Sequence, residues 1–203
     1  MSSTKEKNKV LSVIAPLSGK VVALEQVPDP VFAEKALGEG AAIIPESGKI
    51  YSPVDGEVAS VAATQHAFGF SSTDGLDVLV HVGLETVALN GEGFIVHVKE
   101  GDKVKAGDLV AEVDLKFLES KNLNPITPVI ICDGMDEMSM SIAGGTVSAG
   151  KDAVITLKAE VKEDVKEAAP VKTESVALAE PEKKKKKPKR PTERNQRKLS
   201  AES

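Results

Sequence analysis

Three histidines, His66, His81 and His97, are the residues of this chain best suited to reversible covalent chemistry. An imidazole titrates near pH 6.5, so much of it is neutral close to pH 7. A neutral ring nitrogen attacks phosphorus readily, and imidazole also departs readily, which suits a phosphoryl carrier. Two of the three histidines flank a hairpin, His66-Ala-Phe-Gly-Phe-Ser-Ser-Thr-Asp-Gly-Leu-Asp-Val-Leu-Val-His81, with the turn signal Asp74-Gly75 at its centre. If Asp74 and Gly75 are the turn residues, Phe68 faces His81 and His66 is its diagonal neighbour. If the turn is Thr73-Asp74, His66 faces His81 directly. Both registers place the imidazoles on one sheet face, about 5 Å apart if direct and about 7–8 Å if diagonal. A loop of the other parity would break that inference. In Val78-Leu-Val-His-Val82, alternation sets Val78, Val80 and Val82 on one face and Leu79 and His81 on the other. A second histidine beside His81 can donate a hydrogen bond to phosphoryl oxygens. Positioning and electrostatic help are most of what phosphoryl transfer asks of a protein. Thr64, two residues before His66, can fix that ring's tautomer through its hydroxyl.

The same pair admits other chemistry. A strand histidine is more often structural than reactive. Imidazole is also a good zinc ligand, but zinc wants three or four protein ligands and only two are visible, so a metal site would need a nearby carboxylate or a partner's side chain. His97, in Phe94-Ile-Val-His-Val98, reads as a solvated strand position. The single cysteine, Cys132, lies in the apolar run Val129-Ile-Ile-Cys132 and reads as a core residue, not an activated thiolate. One cysteine forms neither an internal disulfide nor a metal framework. The residues alone therefore leave a phosphoryl carrier and a partner-completed metal site both open.

The elements that must hold this pair read as short strands. Val10–Ile14, Val21–Leu24, Glu57–Val61, Asp77–Val82, Phe94–Val98, Leu109–Val113, Pro128–Ile131 and Ala153–Leu157 are β-rich runs separated by Gly, Pro and Asp-Gly signals. That spacing predicts an all-β fold, an antiparallel sandwich or barrel. Asp114–Asn122 and Val31–Leu37 are expected to give one or two short helical turns. Ala15-Pro-Leu-Ser-Gly-Lys-Val-Val-Ala-Leu24 is echoed by Ser52-Pro-Val-Asp-Gly-Glu-Val-Ala-Ser-Val61, 37 residues later. The echo fits internal duplication and a common turn-to-strand phrase equally well. A lipoyl- or biotinyl-type carrier is disfavoured, because Gly134-Met-Asp-Glu-Met138 lacks the lysine such a hairpin presents.

Charge divides the chain. Residues 1–161 carry 13 Lys and Arg against 23 Asp and Glu, a net of −10, whereas residues 162–203 are 13 against 8, a net of +5. Residues 1–9 read as a disordered lead, 10–161 as the folded domain and 162–203 as a disordered, Lys-rich tail. No apolar run reaches the roughly 18 residues of a membrane helix, and no secretory leader is evident, so a cytoplasmic protein is expected. The run Lys183–Lys187, followed by Lys189, Arg190, Arg194, Arg197 and Lys198, has no interleaved aromatics. It argues against specific nucleic-acid binding and for attraction to the anionic inner membrane face, where each cation is worth about 1 kcal/mol.

The segment Gly75-Leu-Asp-Val-Leu-Val-His-Val-Gly-Leu-Glu-Thr-Val87 resembles the phosphorylation-site pattern of the glucose-type IIA family of the phosphoenolpyruvate-dependent sugar phosphotransferase system. Ala15–Gly19, Val27–Lys35, Ser52–Gly56, Thr64–Phe68, Leu89–Phe94 and Thr127–Val129 extend the likeness across residues 10–159. The resemblance implies an antiparallel β-sandwich with a shallow apolar depression around two histidines. It implies a phosphotransferase component in which His81 forms the tele-phosphohistidine, His66 supports the phosphoryl group and Thr64 orients His66. The donor would be HPr, and the acceptor a cysteine or histidine on a IIB domain. No cofactor is required, although zinc bridged by His66 and His81 at a partner interface fits the pair. Asp29, Phe32, Phe68 and Glu85 match the partner-facing surface. The chain departs from the family at Glu85, where Asp is frequent, at Gln65, where Asn is frequent, and at Ala62, where a Phe can occur. Such proteins also regulate transporters and metabolic enzymes by their phosphorylation state, so a regulatory binding module is the alternative function.

Overall fold

The computed structural model describes residues 9–159. The expected disordered tail 162–203, and the expected lead except for Lys9, lie outside the described residues. The strands are β1 (Val10–Ile14), β2 (Gly19–Ala23), β3 (Glu39–Pro45), β4 (Lys49–Tyr51), β5 (Gly56–Val61), β6 (Ala67–Ser72), β7 (Asp77–His81), β8 (Phe94–Val96), β9 (Lys103–Val104), β10 (Leu109–Val113), β11 (Thr127–Asp133), β12 (Met138–Ile142), β13 (Thr146–Val147) and β14 (Ala153–Ala159). Two short helices, α1 (Pro30–Ala33) and α2 (Leu115–Ser120), complete the regular structure with two 3-10 turns, Leu24–Gln26 and Thr86–Leu89. Every strand pair is antiparallel, as the short runs predict.

The strands form one eight-stranded sheet in the order β13-β2-β3-β11-β7-β6-β5-β9 and two three-stranded sheets, β1-β14-β12 and β4-β10-β8. Together they make an antiparallel β-sandwich. Its interior is aliphatic, with Val13, Leu17, Ile43, Ile50, Val58, Val80, Val129, Ile155 and Leu157 all fully buried. Phe68, Phe70 and Phe94 supply the aromatic part of that core. A smaller cluster lies on the opposite face of β3 and β11, where Leu24, Val27, Phe32, Leu84 and Ile126 cover Ala42 and Ile130. Strand β3 is therefore buried on both faces. This explains why its Gly-Ala-Ala-Ile-Ile run shows no alternation in the sequence.

Each helix starts on an aspartate. The Asp29 carboxylate accepts from Val31 N at 2.9 Å, with Pro30 at the first helical position. Asp114 accepts from Lys116 N and Phe117 N. Lys35 ties α1 down by pairing with Glu25 at 3.0 Å and Glu39 at 2.7 Å. The two echoed turns also meet. Ile14 N donates to the Pro53 carbonyl and Tyr51 N donates to the Pro16 carbonyl, both at 2.8 Å. This exchange preserves the offset of 37 and favours the duplication reading of the echo.

The β6–β7 hairpin departs from both expected registers. Ala67, not Phe68 or His66, pairs with His81, and Phe68 pairs with Val80. The cause is a three-residue loop, Thr73-Asp74-Gly75, closed by Ser72 N to the Leu76 carbonyl at 2.7 Å, with Gly75 at φ +92°. A turn followed by a left-handed glycine is the usual three-residue solution, and it shifts parity by one relative to a two-residue turn. Cys132 also departs from expectation. It is exposed, at the point where β11 bulges between Ile131 and Asp133.

Candidate functional site

His81 ends β7 on the face opposite the core, as the alternation predicts. Val78, Val80 and Val82 are buried, whereas Leu79 and His81 are half-buried. The chain turns sharply after it. His81 Nδ1 lies 2.9 Å from the Gly83 carbonyl oxygen. A carbonyl only accepts, so Nδ1 carries the proton and Nε2 keeps its lone pair. Gly83 sits at φ +73°, and a Cβ there would come within 2.7 Å of Thr86 Cγ2 and 3.1 Å of the Asn124 carbonyl. Thr86 is itself fully buried and donates to the Val82 carbonyl at 2.7 Å. The acceptor that sets the His81 tautomer is thus held by a packed glycine turn.

His66 reaches His81 from a loop rather than from a strand. Gln65 N donates to the Ala62 carbonyl, and Gln65 adopts φ +60°. The His66 carbonyl then accepts from Val82 N at 2.7 Å, which fixes its backbone to the residue after His81. The two rings stand edge to face, with centroids 4.8 Å apart and planes at 75°. Parity would have separated the histidines, but the loop brings them together. Thr64 Oγ1 is 2.6 Å from His66 Nδ1. When the hydroxyl donates, the His66 proton resides on Nε2, available to a phosphoryl oxygen.

Phe32 closes the third side, its ring centroid 5.0 Å from that of His81. It is only 5% exposed and belongs to the smaller cluster, so it is a wall behind the imidazole and not a partner-facing residue. Phe68 is fully buried in the main core, because its register pairs it with Val80 on the inward face, and it is likewise no part of a partner surface. Glu85 is exposed at φ +59°, and Asp29 is half-buried near the imidazole. Val31 and Val87 add exposed apolar surface, Val31 on the helix that carries Phe32 and Val87 on the 3-10 turn that follows Gly83. Sequence reasoning missed these two valines and the Gly83 carbonyl. The glycine two residues after His81 was the available signal for the latter. His97 is exposed, follows β8 in a sheet other than the one that carries His81, and pairs with Glu112 at 3.0 Å. Among the described residues, no group of three or more His, Cys, Asp or Glu could hold a metal ion.

Burial pushes both imidazole pKa values below 6.5. At His66 the neighbouring His81 adds to the effect of desolvation. At His81 desolvation dominates, opposed by the Gly83 carbonyl and the Asp29 carboxylate. The site is therefore neutral, and nucleophilic, at pH 7. Between the folded pKa values and 6.5 the unfolded chain binds more protons than the folded one, so stability rises with pH across that window. Both ring resonances are expected to titrate below pH 6.5. The urea midpoint should climb as pH rises toward 6.5 and climb less steeply in His81→Gln. An equal slope in the variant would contradict the assignment.

Three comparisons bear on this site. A family model described as the phosphoenolpyruvate-dependent sugar phosphotransferase system, EIIA 1, matches residues 11–137. The glucose-specific EIIA component of Oceanobacillus iheyensis is 44% identical over 149 residues, covering 72% of this chain and 90% of that protein. The Haemophilus influenzae counterpart is 43% identical over 157 residues, covering 77% and 94%. The glucosamine-specific EIICBA component of Bacillus subtilis is 48% identical over 124 residues, 61% of this chain but 20% of that longer protein. The solved glucose permease IIA of Mycoplasma capricolum superposes with a TM-score of 0.69 at 37% identity, over 73% of this chain and 96% of that one.

Proposed function

Because the chain belongs to the EIIA 1 family of the phosphoenolpyruvate-dependent sugar phosphotransferase system, we propose that it takes up its phosphoryl group on Nε2 of His81. It is a phosphotransferase component that carries phosphoryl groups in sugar uptake. The observation that carries the assignment of the atom is the 2.9 Å contact between His81 Nδ1 and the Gly83 carbonyl. In the first step the Nε2 lone pair forms the N–P bond while the bond from phosphorus to the imidazole of HPr breaks, its electron pair staying on that nitrogen. The His81 ring gains positive character, and its Nδ1–H bond to the carbonyl strengthens in response. His66, oriented by Thr64, donates from Nε2 to the phosphoryl oxygens. In the second step a thiolate of a IIB domain attacks phosphorus and the N–P pair returns to His81.

A IIB domain of a sugar permease fits as acceptor, since the Bacillus subtilis relative carries a IIB part in the same polypeptide. The relatives named glucose-specific make glucose the first sugar to test. The test is to incubate the full-length chain with labelled phosphoenolpyruvate, Enzyme I and HPr. Acid-labile, base-stable label on wild type is expected, and its absence would overturn the reading.

The lone pair and the supporting imidazole also suit a zinc ion at a partner interface where the partner adds a carboxylate, and through it a regulatory contact with a transporter or enzyme. The cationic run of residues 183–198, outside the described residues, fits attraction to the inner membrane face. Full-length protein should co-sediment with anionic vesicles at low salt more strongly than residues 1–161. Equal binding would sink that idea. No helix among the described residues is long and apolar enough to cross a membrane.

A further inference from the structure

The loop that carries His66 rests on a neighbouring turn. Leu89–Glu92 reverses through Asn90 at φ +49°, ψ +36° and Gly91 at φ +89°, the two left-handed positions of a type I′ turn. The Gln65 side chain lies over it, since a Cβ on Gly91 would stand 3.3 Å from Gln65 Cδ. Gln65 is the left-handed residue that brings His66 to His81. Asn90 is exposed, and its carboxamide is weakly held, with Nδ2 3.4 Å from the Ala88 carbonyl. The flanking amides are engaged, Asn90 N with the Val87 carbonyl and Glu92 N with that of Leu89. Gly91 N has no such acceptor among the described residues.

We propose that Asn90 is a deamidation site, converted without an enzyme to aspartate and isoaspartate, and that the change slows phosphoryl delivery by displacing His66. The effect on delivery rests on the reading of His81 and His66 as the phosphoryl site; the modification itself does not. Gly91 N, deprotonated by hydroxide, attacks Asn90 Cγ. The N–Cγ bond forms, the Cγ–Nδ2 bond breaks, and Nδ2 takes a proton from water and leaves as ammonia. Water then opens the succinimide ring at either of its carbonyls. Glycine suits this step because no Cβ obstructs the closing ring. Closure requires Asn90 to leave its left-handed conformation. One hydrogen bond, Glu92 N to the Leu89 carbonyl at 3.0 Å, spans the Asn90–Gly91 peptide, so the opening is local. The other four asparagines lack this combination. Leu123 N, after Asn122, is bound to the Leu118 carbonyl at 3.0 Å. Asn124 precedes Pro125, which has no N–H to lose. Asn8 and Asn195 precede Lys9 and Gln196. Either product adds a carboxylate beside Gln65. Isoaspartate also routes the main chain through the former side chain, which lengthens a tight turn by one backbone atom.

The test stores full-length wild type and Asn90→Gln under mildly alkaline conditions. Glutamine would have to close a larger ring, which is far slower. Peptide mapping by mass should show the amide-to-acid gain at Asn90 ahead of the other asparagines, at a rate proportional to hydroxide concentration. Isoaspartyl methyltransferase with labelled S-adenosylmethionine should mark the stored wild type and not the stored variant. Single-turnover delivery to a IIB domain from the stored, then phosphorylated, wild type should fall roughly 10–100-fold, the cost of misplacing one supporting group. Its end-point label should be unchanged, and stored Asn90→Gln should deliver as fast as when fresh. No mass gain at Asn90, or an earlier gain at another asparagine, would overturn the site. A gain at Asn90 with unaltered delivery would overturn its coupling to His66. Wild type that takes no label when fresh would instead overturn the function proposed above.

Discussion

His81→Ala removes all acid-labile phosphoryl label from the chain. The loss is complete rather than partial because no other imidazole is prepared to replace it. His66 has its Nδ1 engaged by Thr64. His97 has its Nε2 paired with Glu112. Neither has its nucleophilic nitrogen selected by a fixed carbonyl, as Gly83 selects His81 Nε2. The substitution sits on a half-buried, outward-facing strand end, so the fold should persist, which a near-native thermal transition would verify. Label that persists on the variant would remove His81 from the reaction.

His66→Gln separates acceptance from delivery. The variant should reach the same end-point label as wild type, because His81 and its tautomer-setting carbonyl are untouched. Delivery to a IIB domain should slow by about 10²–10³, the usual effect of deleting one donor aimed at developing charge. The difference arises because the label is scored at completion, whereas delivery is scored as a rate. The glutamine amide can still donate, but it lacks the Thr64 hydrogen bond that orients the imidazole. Single-turnover transfer from prelabelled protein to the IIB domain is the measurement. Wild-type delivery rates in the variant would reduce His66 to a packing role.

Much of this was legible in the residues, and the failures have particular causes. Alternation in Val78–Val82 placed His81 on the outward face, since that strand is buried mainly on one side. Leu109–Val113 matched its strand without correction. Asp114 marked the start of α2 because aspartate caps helices through a local hydrogen bond. Errors arose where one residue changes parity. The left-handed Gly75 converted a two-residue turn into a three-residue one, which turned Phe68 inward and made Ala67 the partner of His81. The bulge at Cys132 turned a residue read as core outward. The pairing of His66 with His81 survived for a reason the sequence could not show, namely the Gln65 turn and the Val82 hydrogen bond. Strand β3 was illegible because burial on both faces erases alternation.

The pairing of β1 with β14 has a consequence for how such a body can be built into larger proteins. Val10 lies directly across from Lys158, and Ala159 N donates to the Lys9 carbonyl. The polypeptide thus enters and leaves the described sandwich side by side, in a sheet other than the one that carries His81. A body with adjacent entry and exit can be spliced into a host at one surface loop, or hung from a host at either end. Neither arrangement would drag a linker across the reacting face. The same active face can then serve as a free shuttle or as one segment of a multidomain permease, with only the local concentration of its partners changed.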